Sequence, residues 1–256
     1  MRVKLKDSYL EGGIVLRYRA FILSFIACLL FGVVPTDAAR SPLPAYEPIH
    51  RIDTTNKVVA LTFDDGPDPK YTPIILEVLH RNKVPATFFV LGSQVDKYPK
   101  IMHWIKKAGH EIGNHGYHHG DLNKLTEQEI YEEIKLGEKS ILRSTGVLAQ
   151  YYRPPGGVLT HDVMNAVQSC GYDIIHWSVD PRDWSLARTA SHIAKSVKND
   201  VAPGDIILFH DGGLNQRETI AALQELITDL RRQGYRFVTV SQLLDVKGSK
   251  RDANKK

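Results

Sequence analysis

Two clusters in this chain carry residue types that can activate water. The first, Thr62-Phe63-Asp64-Asp65-Gly66-Pro67, sets two carboxylates side by side. Adjacent side chains diverge, so one can ligate a metal while the other, turned toward an open coordination position, accepts a proton from bound water. Taken alone, the stretch also fits a solvated acidic turn closed by Gly66-Pro67. The second cluster is Asn114-His115-Gly116-Tyr117-His118-His119-Gly120-Asp121. His115 and His119 lie four residues apart, and on a helical turn both rings face one side and can occupy two positions on one ion. His118, at a spacing that also shares a helical face, is the alternative ligand. Two histidines, one carboxylate and a water describe a hydrolytic site, usually of zinc, whose bound water ionises near neutrality. Co2+ and other divalent ions accept the same donors. Such a site needs no serine or cysteine nucleophile.

These residues need elements that bring them together. Short β-branched or aromatic runs at 58–63, 86–91, 111–114, 150–153, 173–179, 205–209 and 236–240 read as buried strands. Amphipathic stretches alternate with them. One opens on the capping box Thr126-x-x-Glu129, another runs from Thr160 to a stop at Gly171, and a third spans 218–233 before Gly234. About seven strands alternating with helices predict an α/β fold with a parallel sheet. Of the open and closed forms, a distorted (β/α) barrel is expected, because Asp64 and Asp65, His115 and His119, Arg153, Asp183 and His210 each follow a different strand. In a barrel all such positions gather on the C-terminal face.

Thr62-Phe63-Asp64-Asp65, His115-x-x-x-His119, Arg153-Pro154-Pro155, Asp180-x-x-Asp183-Trp184 and Leu208-Phe209-His210-Asp211 resemble, in order, the five motifs of the polysaccharide deacetylase family, the NodB-homology domain of carbohydrate esterase family four. The resemblance spans about residues 55–245. It implies Asp64 as general base, Asp65, His115 and His119 as metal ligands, and Arg153 as the residue that orients Asp64. It further implies that the backbone N–H of Gly156 supports the developing oxyanion and that Leu208 and Trp184 line the pocket for the acetyl methyl group. His210 is then the general acid, held charged by Asp183. Two departures stand out: Gly156 where many relatives carry Tyr, and Gly116 where Thr or Ser usually follows the first metal histidine. Neither removes a ligand or a proton-transfer group, so they bear on substrate preference and not on reaction type. The remaining histidines form no cluster. Arg182 and Trp177, beside the fourth motif, are candidates for substrate contact, with core packing or surface placement the expected role of each.

The formal charge of +4 is concentrated at the ends. Residues 1–19 carry about +3 and residues 247–256 about +4, which leaves the middle near −3 and without the basic stripe that nucleic acid requires. The apolar run Ala20 to Val34, with small residues after it, suits a signal peptide better than a membrane span. The expected organisation is a signal peptide or membrane anchor over 1–39, a proline-rich linker over 40–56, a catalytic domain over 57–246 and a basic flexible tail over 247–256. Anchorage through residues 20–34 is the alternative to cleavage. Cys170 is the only cysteine after that run, so no disulfide forms within the domain. The reading is a secreted or cell-surface, metal-dependent hydrolase, taken as a monomer, that removes N-acetyl groups from a cell-wall polysaccharide. Peptidoglycan is the first choice and chitooligosaccharide the next. The competing readings are a non-catalytic glycan-binding module on the same fold and an O-acetyl (xylan) esterase.

Overall fold

The computed structural model describes residues 47–253, except Leu214, and the side chains of residues 47–246. The segments read as signal peptide or anchor, and residues 40–46 of the linker, lie outside the described residues. Among the described residues no helix is long and apolar enough to cross a membrane.

Seven parallel strands form one sheet: β1 (Val58–Asp64), β2 (Thr87–Val90), β3 (Glu111–Asn114), β4 (Tyr151–Tyr152), β5 (Asp173–Ile174), β6 (Ile206–His210) and β7 (Arg236–Val238). Their order is β5-β4-β3-β2-β1-β6, and β7 pairs with the first half of β1. Among the described residues, eight helices lie between and after them: α1 (Thr72–Arg81), α2 (Gly92–Lys97), α3 (Pro99–Lys107), α4 (Glu127–Thr145), α5 (His161–Ser169), α6 (Ala190–Asp200), α7 (Arg217–Arg232) and α8 (Val240–Ala253). The result is the expected α/β fold, a curled, distorted barrel.

The run 173–179 does not persist as one strand. Regular pairing stops at Ile174, and Val179 bridges to Ile207 on β6 instead. Between them the carbonyls of Ile175 and His176 accept from the Arg153 guanidinium at 3.1 and 2.9 Å. A side chain thus takes ladder positions that a strand would otherwise fill, and the run changes partner from β4 to β6 across that gap.

The strand period of two sorts the core. On β1, Val59, Leu61 and Phe63 pack in the large cluster shared with the outer helices, including Ile75 and Leu79 of α1 and Leu223 and Leu226 of α7. Val58 and Ala60 join the inner cluster, which is plugged by Ile52 and by Val240 and Leu243 of α8. Thr62 and Asp64, next in that inward series, are buried polar groups. The pattern thereby delivers a carboxylate to the barrel mouth.

Helix α4 starts at the anticipated capping box: the Thr126 side chain accepts from the Glu129 N–H, and Glu129 caps in return. At the start of α5 the Thr160 side chain accepts from the Val163 N–H. The chain joins the domain before Lys57. Ile49 N–H donates to Ile174 O at 2.9 Å, His176 N–H to Ile49 O at 2.8 Å and Ile52 N–H to Gly204 O at 2.8 Å, so the second half of the expected linker is bonded to the barrel. At the other end, the backbone of α8 continues through most of the segment read as a basic tail.

Candidate active site

A cleft of about 350 Å³ opens at the C-terminal ends of the strands. Eight of the ten anticipated site residues line it: Asp64, Asp65, His115, His119, Gly156, Trp184, Leu208 and His210. Arg153 and Asp183 stand behind, fully or nearly fully buried. Asp64 and His210 end adjacent strands and are paired in register across β1 and β6.

Asp65 departs from the strand with φ of 74°, a left-handed conformation that a residue with a side chain keeps only when its surroundings enforce it. That turn separates the two carboxylates. Asp64 faces Arg153, whose Nη1 donates to Asp64 Oδ1 and to Thr62 Oγ1, both at 2.8 Å. Asp65 faces the histidines, with Oδ1 at 3.4 Å from His115 Nε2 and 3.6 Å from His119 Nε2. Burial would raise the Asp65 pKa, but the neighbouring imidazoles of His115, His210 and His119 hold it at about 2.

The histidine pair does not ride on a helix. Residues 115–121 form an irregular loop, and Gly116 has φ of 83°. Asn114 shapes it: its side-chain oxygen accepts from the Gly116 N–H at 2.9 Å and its amide donates to Ile134 O at 3.0 Å. Helical spacing therefore singled out two residues that do converge on Asp65, but from a loop and not from a helix. His118 turns away, with Nδ1 at 3.0 Å from Glu133 Oε1 on α4.

The donor set fits a cation. His115 Nδ1 lies 2.7 Å from the Arg153 carbonyl, an acceptor, so Nδ1 carries a proton and Nε2 is the ring nitrogen turned toward Asp65. Asp65 Oδ1 is buried with no hydrogen-bond donor among the described residues. One donor atom each from Asp65, His115 and His119 falls within 4.8 Å of the others. Two imidazole nitrogens and an orphaned carboxylate oxygen converging this closely would be stabilised by a divalent ion between them.

On the opposite wall, His210 Nδ1 lies 2.8 Å from Asp183 Oδ1, and Asp183 Oδ2 accepts from the His210 backbone N–H at 2.9 Å and from Thr219 Oγ1 at 3.0 Å. Burial would lower the His210 pKa, but the hydrogen bond and charge of Asp183, with Asp64 and Asp65 beyond, hold it at about 9. Its Nε2 is left free for the cleft. The arrangement can hold water between a carboxylate acceptor and an imidazolium donor.

Gly156 also adopts the left-handed region at φ of 64°, and a Cβ there would meet only Val158 at 3.9 Å. The cleft is open at that wall because no side chain enters it. Trp184 is 46% exposed at the rim, whereas Leu208 is buried at the floor. Sequence reasoning assigned no role to Thr62, Gln216 or Asp211. Thr62 accepts from Arg153 and passes its own hydroxyl hydrogen to Ile207 O at 2.8 Å. Its position two residues before Asp64 on an inward-facing strand was the available signal. Asp211 lies wholly buried beside the turn. Burial pushes its pKa up to about 7, with Thr72 pulling down and the Asp65 and Asp64 charges adding to the rise. Trp177 lines the cleft, against the expected core or surface placement; Arg182 is not among its lining residues.

The family model described as polysaccharide deacetylase matches residues 51–175. The peptidoglycan-N-acetylglucosamine deacetylase of Bacillus cereus is 39% identical over 201 residues, which cover 77% of this chain and 92% of that protein. The chitooligosaccharide deacetylase of a Bradyrhizobium species is 36% identical over 197 residues, covering 72% of this chain and 90% of the other. Among solved structures, a CE4 family pseudoenzyme from Bacillus anthracis superposes with a TM-score of 0.73 at 30% identity, covering 78% of this chain and 69% of that one. The same fold thus carries both enzymes and a protein classed as inactive, and the side chains in the cleft must decide between them.

Proposed function

The chain belongs to the polysaccharide deacetylase family, and we propose that it is a metal-dependent hydrolase that removes N-acetyl groups from the amino sugars of a cell-wall polysaccharide. Peptidoglycan is the substrate we favour, chitooligosaccharide the next. The observation that carries this reading is the convergence on one cleft of the Asp65, His115 and His119 donor set, the Asp64 carboxylate and the His210 imidazole.

Asp65, His115 and His119 would hold the ion, taken as zinc, with Co2+ or another divalent ion as the alternative. When bound, it polarises the acetyl carbonyl and lowers the pKa of water. Asp64, fixed by Arg153, takes the proton of the attacking water. His210, kept charged by Asp183, delivers a proton to the amine nitrogen as the C–N bond breaks, so that one amide and one water become one ammonium and one acetate. Leu208 and Trp184 enclose the acetyl methyl group. The Gly156 N–H assists the developing oxyanion.

A non-catalytic glycan-binding module is disfavoured by this complete set. Such a module has no use for a buried imidazole paired with a buried carboxylate opposite an orphaned donor triad. The bare wall at Gly156 admits a sugar with neighbouring units attached, in line with a polymeric substrate. We place the activity outside the cytoplasm on the strength of the apolar run Ala20 to Val34. Mass spectrometry of muropeptides and of N-acetylated chitooligosaccharides after incubation with the purified protein tests the proposal. Loss of acetyl groups from a glucosamine unit is the expected result, and unchanged masses in both substrates with the divalent ion present would defeat it.

A further inference from the structure

The strand that bears His210 continues into the back of the turn that bears Asp64 and Asp65. Asp211 N–H donates to the Asp64 carbonyl at 3.0 Å, extending the β1–β6 ladder by one residue. Its side chain is wholly buried and does not line the cleft. Asp211 Oδ2 accepts from Thr72 Oγ1 at the start of α1, and the Thr72 oxygen accepts in turn from the Asp68 N–H at 2.8 Å. The other oxygen, Oδ1, has no partner among the described residues. The fit is close. A Cβ on Gly66 would collide with the Asp211 carboxyl, one on Gly212 would collide with the Asp65 carbonyl, and one on Gly213 would stand 3.0 Å from Asp65 Oδ2. Asp211, Gly212 and Gly213 therefore wrap the Asp65-Gly66 turn from behind, where Asp65 sits in its left-handed conformation.

We propose that Asp211 is a positioning residue for the hydrolysis: its carboxyl, wedged between Thr72 and Gly66, holds the Asp64-Asp65 turn in working geometry and ties it to the strand that carries His210. It acts through Asp64 and Asp65, whose side chains point apart only while the turn is kept. A small displacement of such groups costs far more in rate than in binding. The inference rests on the deacetylase reading. Wild type inert on every N-acetylated oligosaccharide would defeat that reading, while metal affinity still tests Asp211 by itself.

The experiment compares Asp211→Ala, Asp211→Asn and Thr72→Val in the full chain. It reads kcat and KM on a soluble N-acetylated chitooligosaccharide and the Kd for Zn2+ of the metal-stripped protein. Asp211→Ala is expected to lower kcat about 10²-fold with a smaller change in KM. Its Zn2+ affinity should weaken about 10- to 100-fold, as when outer-sphere partners of a metal site are lost. Asp211→Asn, which keeps the acceptor for Thr72, should recover a large part of both, and Thr72→Val should lose both in the same direction by less. A lowered melting temperature with wild-type kcat and Zn2+ Kd in Asp211→Ala overturns the proposal. Equal damage from Asn and Ala overturns it too, because charge and not the wedge would then matter. Should Asp211→Ala fail to fold, Thr72→Val with wild-type kcat and Zn2+ Kd gives the same refutation.

Discussion

The two ends of the barrel treat their carboxylates in opposite ways. At the N-terminal end, Glu111 opens β3 and is satisfied: Oε2 accepts from Thr87 Oγ1 at 2.7 Å and from the Ser241 N–H at 3.2 Å, while Oε1 accepts from Ser241 Oγ. Thr87 Oγ1 accepts in turn from the Val240 N–H at 3.0 Å, so this network fastens the start of α8 to the sheet. At the C-terminal end, Asp65 Oδ1 and Asp211 Oδ1 are buried without a donor. Folding alone favours the first arrangement and penalises the second. Beside the cleft, two carboxylate oxygens without donors mark where stability was given up for chemistry, whereas the Glu111 network is a place where it was kept.

The largest effect is expected at the metal donors. Exhaustive chelation should abolish hydrolysis and a divalent ion should restore it, with His115→Ala reproducing the loss, as followed by acetate release. Full turnover after metal removal would erase the distinction between the two ends. The next effect is Asp64→Asn. Metal content should persist through Asp65, His115 and His119, while kcat falls about 10²- to 10⁴-fold, the usual contribution of a positioned proton acceptor.

Asp183→Asn sharpens the comparison through pH. The His210 pKa is raised to about 9, so its proton is in place through neutrality and activity declines as pH rises through that value. Removing the carboxylate lets the imidazole lose its proton at lower pH, so the basic limb of the kcat/KM profile should move toward acid. Because the groups are coupled, the limb belongs to the site and not to one residue. An unmoved limb in the variant would detach Asp183 from His210.

At the other end, Glu111→Ala should cost about 1–3 kcal/mol of unfolding free energy, read by denaturant titration, because it strands the donors of Thr87 and Ser241. The kcat of the folded enzyme should stay at its wild-type value, and a fall in kcat without loss of stability would place chemistry where the comparison says there is none. His118→Ala is the smallest effect. The side chain is paired with Glu133 outside the cleft, so metal affinity and turnover should change little. Damage exceeding that of His119→Ala would reverse the ligand assignment.

Much of this was legible along the chain. Strand runs, the Thr126 capping box and the order of the motifs predicted a parallel barrel with chemistry at one end, and Asp64, Asp65, His115, His119 and His210 meet in one cleft. These signals are local. Residue type, period two or 3.6 and cap spacing are properties of a few neighbouring residues, and chain order plus right-handed crossovers then sends the strand ends to one face. Other features depend on partners distant in sequence. That His115 and His119 meet Asp65 from an irregular loop was decided by Asn114 reaching Ile134, and His118 was excluded by Glu133 on α4. The broken run at 173–179 was decided by Arg153 taking the carbonyls of Ile175 and His176. Asp211 reads along the chain as the residue after a motif histidine. Only packing against Thr72 and Gly66 shows what it touches, because burial and hydrogen-bond satisfaction belong to the assembled core and to no segment of it.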